Sequence, residues 1–328
     1  MAADPLQTHV SKEFEHERPW ISCRFDKSGK YVFGGSEDFH VWRIDLESGE
    51  KVAYNTAAWV RAIAVTNDLL ITGGFDGRLM WWPVAAEKPE PVREVAAHDG
   101  WVRAVKVSPD GTLLATCGND LKVKLWNLSD GSQVGEMLGH ERDIYNVAFH
   151  PDGKQLVSGD LVSRYLHWEL GNDKPVREFT VATLHKYDET FRADYGGPYA
   201  MEFSADGSVL GCSGITNVTN AFAAVGNPAV SIVDWASGTE TVAHFSKGGV
   251  QGKAWGMVLH PDGFDIAATG GPGGGHLFFW KRTEKDEFHT VNLGNIARDL
   301  DLHPDGIRLA TVHYDRKLRI STMAPKAA

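Results

Sequence analysis

One short turn recurs along this chain and limits its fold more than any other feature. An alternating apolar run leads into x-Pro-Asp-Gly or a close variant, and a second apolar run follows. The turn stands at Ser108–Gly111, His150–Gly153, Ser204–Gly207, His260–Gly263 and His303–Gly306. Looser copies occupy Phe25–Gly29 and Thr66–Asp68. Proline presets φ and glycine admits positive φ, so each copy reverses the chain sharply and joins two strands as a hairpin. The strands before the turns include Val102–Val107 and Ile144–Phe149; those after include Leu113–Gly118 and Gln155–Gly159. A third strand then ends in tryptophan, at Trp82, Trp126, Trp168 and Trp280. Period-2 alternation with β-branched and aromatic enrichment predicts strands throughout, and no long helical period competes.

Aligned on the strand before the turn, the unit occurs seven times, starting near Trp20, Trp59, Trp101, Asp143, Gly197, Lys253 and Ile296. Most copies lie about 42 residues apart. Two are longer, and the excess is expected between the second and third strands of repeats five and six. The pattern Gly139–His140, Phe149–Gly153, Ser158, Trp168 resembles one WD40 repeat, and the repeat ending Leu125–Trp126 resembles another. The resemblance covers essentially the whole chain. It implies an all-β, seven-bladed WD40 β-propeller occupying residues 1–328 as a single domain. Gly214–Trp235, with the later glycine-rich loop, is similar to stand-alone bacterial WD-repeat proteins. Only Ala324–Ala328 follow the last third strand, too few for a fourth. Val10–Phe14 precedes His16 much as Val134–Leu138 precedes His140, so this N-terminal segment is expected to complete the last blade.

Composition narrows the function classes. The 328 residues are 42% hydrophobic, 10% aromatic and 23% charged, with a formal net charge of −10. That balance fits a soluble globular chain and argues against non-specific nucleic-acid binding. Cys23, Cys117 and Cys212 form no CxxC pair and read as buried thiols. No stretch suits a membrane helix or a signal peptide, so the expectation is a cytoplasmic, monomeric ring without cofactor.

In typical WD40 repeats a His, a Ser or Thr, an Asp and a Trp form a buried hydrogen-bonded network. The resemblance assigns this structural role to His98, Thr116, Asp120 and Trp126, and to His140, Ser158 and Trp168 with Asp160 displaced. The same residue types resemble a catalytic triad on paper. Their recurrence in several repeats argues for structure instead: Thr72, Asp76 and Trp82 repeat the set with Thr56 for His, and Thr311 and Asp315 repeat it with Ser321 for Trp. His150, His260 and His303 sit at equivalent turns of different repeats, so they are expected to serve the turns and not to share a metal. Gly270–Gly275 lacks the Lys-Ser/Thr of a phosphate loop and reads as a flexible hairpin. The insertion Ile215–Pro228, with Phe222, reads equally as a functional loop or a tolerated one.

The start of the first strand often lines the channel mouth in WD40 proteins and makes contacts there. The third position of each repeat reads Pro19, Trp59, Trp101, Asp143, Gly197, Lys253 and Ile296. The fifth reads Ile21, Arg61, Arg103, Tyr145, Tyr199, Trp255 and Arg298. Trp, Tyr and Arg dominate interface hot spots, and arginine forks onto carboxylate or phosphate. The partner-binding candidates are therefore Trp59, Arg61, Trp101, Arg103, Tyr145, Tyr199, Trp255 and Arg298. The expected function is a non-catalytic scaffold holding an acidic or phosphorylated protein or peptide. A sensor of a small anion and a channel-mouth enzyme are the alternatives. Against the enzyme, the two lists contain only Asp143 as a carboxylate and no histidine.

Overall fold

Each x-Pro-Asp-Gly turn, with its variant Ser204–Gly207, joins the two innermost strands of a four-stranded antiparallel sheet. The computed structural model describes residues 2–220 and 225–326. Seven such sheets form the blades of a propeller. Blade three, for example, runs from Val102–Val107 through Leu113–Gly118 and Lys122–Asn127 to Gln133–Leu138. Both faces of a blade pack on neighbours, so its second strand is apolar or small on both sides: of Leu113–Gly118 only Leu113 is not fully buried. The cores lie between blades. Ala115, Cys117, Val123 and Leu125 of blade three meet Ile144, Leu156, Leu166 and Trp168 of blade four. All three cysteines are free and buried, and burial pushes Cys117 and Cys212 up to about 12.

The ring closes as expected. Thr8–Glu15 pairs antiparallel with Lys317–Met323, from Thr8 opposite Met323 to Glu15 opposite Lys317. Glu13 bonds both Lys317, at 2.6 Å, and Arg319, at 2.8 Å. A propeller without this strand would leave the last blade with an open hydrogen-bonding edge.

The three turn histidines do more than shape their turns. His150, His260 and His303 each accept, through Nδ1, the backbone N–H of Asp152, Asp262 and Asp305. Nε2 of each ring faces a turn carbonyl of the following blade, to which it donates in the Nε2–H tautomer. The acceptors are Gly207 at 3.1 Å, Gly306 at 2.7 Å and Gly29 at 2.8 Å. A side chain on Gly29 or Gly207 would collide with the imidazole. These bonds clip blade four to five, six to seven and seven to one.

The extra length is placed differently from the expectation. A separate hairpin, His185–Asp188 with Ala193–Gly196, precedes blade five and belongs to no blade. Blade five does have a long second-to-third hairpin, Val209–Asn220 with Val225–Asp234. Blade six does not. Spacing between first strands counts residues without saying which loop holds them. Ile215 and Val218 of the long hairpin bury against Tyr195 and Tyr199, so the insertion stands beside the start of blade five. Phe222 lies outside the described residues.

Deleting residues 1–16 is expected to lower the thermal midpoint by roughly 10 °C or more, through the lost strand pairing and the stranded Arg319. A truncated protein with an unchanged melting curve would contradict this closure.

Candidate functional site

The innermost strands share one irregularity. Register slips between Trp20 and Ser22, Val60 and Ala62, Val102 and Ala104, Ile144 and Asn146, Ala254 and Gly256, and Ala297 and Asp299. The residues left unpaired are Ile21, Arg61, Arg103, Tyr145, Trp255 and Arg298. These are the fifth positions of their repeats. A bulge residue is released from the pleat and re-aimed. Here all six line one cavity of about 380 Å³ at the channel end where the innermost strands begin, together with Glu37, Trp59, Phe75, Tyr195, Tyr199 and Lys253. Trp101 stands at its edge, stacked on Phe75 at 4.3 Å.

Aromatic rings follow one another around this mouth. Phe39 stacks on Trp59 at 6.3 Å, and Trp59 meets Phe75 edge-on at 5.9 Å. Tyr145 meets Tyr199 at 5.7 Å, and Tyr199 meets Trp255 at 4.7 Å. Residues from first strands alternate here with residues from second-to-third turns. Phe39 and Phe75 come from those turns, which is why the strand positions alone did not reveal them. Phe39 is 50% exposed, and Trp59 and Trp101 are 40% each, so this stretch faces solvent.

The cations are held unequally. Arg103 lies over Trp101 and Tyr145, bonds Asn119 Oδ1 at 2.7 Å and approaches Asp143 at 3.8 Å. Arg298 bonds Glu37 at 2.6 Å and lies over Tyr314. Among the described residues Arg61 has the Trp255 ring, at 5.1 Å, and the Arg298 carbonyl, at 3.4 Å, and no salt-bridge partner. Lys253 Nζ sits among the rings of Tyr195, Tyr199 and Trp255 at 4.9, 5.3 and 4.9 Å. Burial, with Arg61 nearby, lowers the Lys253 pKa to about 8. Burial likewise holds Arg61 below its usual value. The acid nearest in effect to Arg61 is Asp299, which is already bonded to Arg24 at 2.8 Å. The carboxylate lining the cavity is Glu37; Asp143, the one acid read from the rim positions, is not among its lining residues.

The triad-like residues lie elsewhere, between blades. His98 Nδ1 donates to Asp120 at 2.8 Å, and its Nε2 accepts the Thr116 hydroxyl at 2.7 Å. Trp126 Nε1 donates to the same hydroxyl at 2.8 Å. Thr116 is 0% exposed, so its oxygen cannot meet a substrate. Burial keeps His98 below its usual pKa and therefore neutral. Blade four makes the same chain, with His140 to Asp160 at 2.8 Å and Ser158 at 2.7 Å, and Trp168 to Ser158 at 2.8 Å. Asp160 is displaced in sequence only; it closes its strand and its carboxylate arrives at the same histidine nitrogen. Blade two keeps Trp82 to Thr72 at 3.0 Å, while Asp76 turns to Arg78 and Thr56 bonds backbone carbonyls. In blade seven Thr311 pairs with His313 at 2.8 Å, and Asp315 pairs with Arg319.

The glycine-rich loop is packed rather than loose. Gly273 N–H donates to Gln251 O at 2.8 Å, and Gly275 O accepts from Leu293 at 2.9 Å. A Cβ on Gly275 would run into the Asn295 carbonyl, and one on Gly273 would approach Gln251 O. The glycines let three backbones approach one another, a requirement that resembles flexibility in sequence.

Seven four-stranded blades around a mouth of aromatic and cationic side chains define a β-propeller with a candidate recognition surface at one end. The family profile described as WD domain, G-beta repeat matches residues 89–127 and 131–163, which run from the outer strand of blade two through the three inner strands of blade three, and from the outer strand of blade three through the first two strands of blade four. The matched stretches are WD40 repeats, and the ring as a whole has the seven-bladed fold of a WD40-type propeller. It is 25% identical over 191 residues to transcription initiation factor TFIID subunit 5 of Caenorhabditis elegans, covering 57% of this chain and 29% of that one. It is 28% identical over 156 residues to the small ribosomal subunit protein RACK1 of Drosophila melanogaster, covering 46% and 47%. An uncharacterized WD repeat-containing protein of Schizosaccharomyces pombe is 23% identical over 179 residues, covering 51% and 46%. The chain thus spans less than half the length of these relatives. No helix among the described residues is long and apolar enough to cross a membrane.

His98→Ala is expected to cost about 1–3 kcal/mol of stability by stranding Asp120 and Thr116, with no loss of binding at the mouth. Urea titration and a binding assay on the same variant check both halves. A second prediction concerns acid. Burial, with Arg319 beside it, pushes His313 down to about 4. The unfolded chain takes up that proton near 6.5. Its stabilising contribution is therefore complete above about pH 6.5 and fades as pH falls toward 4. The urea midpoint should fall across that window, and less steeply in His313→Gln; equal slopes in the two proteins would refute the assignment.

Proposed function

We propose that this protein is a non-catalytic scaffold whose mouth captures a protein or peptide segment bearing acidic or phosphorylated groups, and that residues 1–328 act as one unit in doing so. The observation that carries this reading is the pairing of an exposed aromatic row with two cations, Arg61 and Lys253, that lack a salt-bridge partner among the described residues. Contiguous exposed aromatic surface marks interaction sites on soluble proteins. Buried uncompensated cations are unfavourable until an anion joins them. The relatives add support: two of them are named as subunits of larger assemblies, TFIID and the small ribosomal subunit. The candidate set is then Trp59, Arg61, Trp101, Arg103, Tyr145, Tyr199, Trp255 and Arg298, to which Phe39, Phe75, Tyr195 and Lys253 are added.

A small anionic ligand is the second reading, favoured by the size of the cavity. Thermal shift with small anions separates it from the scaffold, since a ligand of the native state raises the midpoint.

Capture from native extract tests the first reading. Wild type should retain a protein that the Arg61→Ala, Arg103→Ala, Arg298→Ala triple variant loses, with both baits equally folded by circular dichroism. Equal retention by both baits would move the site away from this mouth.

A further inference from the structure

Two cavities meet at the mouth, and they differ in chemistry. The first holds Arg61, Arg103 and Lys253. The second, of about 300 Å³, lies over the junction of blades six and seven, walled by Gly270, Gly271, Pro272, Ile296 and Tyr314. Lys253, Trp255 and Arg298 line both, so a cationic and a largely apolar compartment share one wall. The outer wall of the second is the packed glycine-rich loop, which is fixed in place by its bonds to Gln251 and Leu293. Beneath the mouth the channel narrows to a space of about 40 Å³ lined by Arg24, Lys106 and Asp299 among others. Arg24 and Asp299 are bonded to each other there. The mouth is therefore a funnel with a plugged stem, and a polypeptide cannot pass through it.

These three facts constrain an occupant. It must bring an anion to Arg61 and Lys253, and an apolar group to the neighbouring cavity, within the span of one shared wall. It must also enter without needing to leave on the far side. We propose that the mouth receives the C-terminal residue of a partner chain, its α-carboxylate between Arg61 and Lys253 and its large apolar side chain in the cavity between blades six and seven. A terminal residue carries both groups on a single Cα. An internal acidic residue would need the main chain to enter and return around the shared wall. The Arg61 guanidinium supplies a fork matched to a carboxylate, and capture of chain termini is an established mode of peptide recognition. Residues upstream of the terminus then lie along Trp59, Phe75 and Trp101. The inference rests on the scaffold reading and specifies which part of the partner is held.

Fluorescence polarisation with dye-labelled hexapeptide pools tests it, using the full chain. The pools are randomised internally, end in Leu, Phe or Lys, and are made both as free acids and as C-terminal amides. Free-acid pools ending in Leu or Phe should bind. Amidation should weaken them by roughly tenfold or more, as expected for loss of a buried charge-assisted contact. Arg61→Gln and Lys253→Gln should each weaken the free acids and so narrow the difference between acid and amide, and Ile296→Asp should abolish the advantage of Leu over Lys. Equal binding of acid and amide overturns the proposal without relying on any variant's folding. So does the absence of binding by every pool, or stronger binding by an amidated peptide with an internal phosphoserine. If extract capture still depends on the three arginines while terminal pools fail, the scaffold reading stands and this inference alone falls.

Discussion

The mouth depends on one residue being left out of register near the start of the innermost strand. Without that bulge, residues 21, 61, 103, 145, 255 and 298 would alternate into the packed space between blades, where an arginine could not be solvated. With it, each side chain leaves the pleat and enters the channel end. The two residues flanking each slip return to the blade, as Val60 and Ala62 do around Arg61, and both are buried. A single local departure from strand geometry thus permits an apolar core and a polar mouth within the same six-residue strand.

The ring that carries these bulges is held at both ends of the blades. At one end, His–Ser/Thr–Trp chains satisfy the hydroxyl, imidazole and indole groups that packing would otherwise strand. At the other, the turn histidines reach across to the next blade. Between them, the channel buries a mixed set of charges. Burial raises Glu202 to about 7, and Lys106 is lowered for the same reason. Opposite charges within the stem largely answer one another, whereas Arg61 and Lys253 at the mouth have no salt-bridge partner among the described residues. That asymmetry along the channel leaves unpaired positive charge at the open end despite a net charge of −10 over the chain.

Much of this was legible in the sequence because its causes are local. A Pro-Asp-Gly turn has one geometry wherever it occurs, so seven hairpins could be read from the turns and the alternating strands around them. The N-terminal strand was legible from a count: the last blade lacked a fourth strand and Val10–Phe14 matched one. The fifth positions were legible as a set because the repeat aligns them. Other features depended on distance in space. Phe39 and Phe75 belong to turns, and only the neighbouring blade makes them part of the aromatic row. Tyr195 comes from a hairpin outside the repeat altogether. Asp160 looked displaced because sequence offset is not position, and the glycines of residues 270–275 looked mobile because the backbones they accommodate are remote in sequence.

The sequence by itself determined the unit, its number and its closure, since turn chemistry, strand alternation and chain length set these without reference to partners far along the chain. Only the tertiary structure decided which charges are answered and which are not. Arg61, Arg103 and Arg298 are the same residue at the same repeat position. Ring closure gives Arg298 a glutamate from blade one, a turn of its own blade gives Arg103 the side chain of Asn119, and the packing of distant blades leaves Arg61 facing an aromatic ring and a lysine. Charge compensation is a property of neighbours in space, and in a closed ring those neighbours come from opposite ends of the chain.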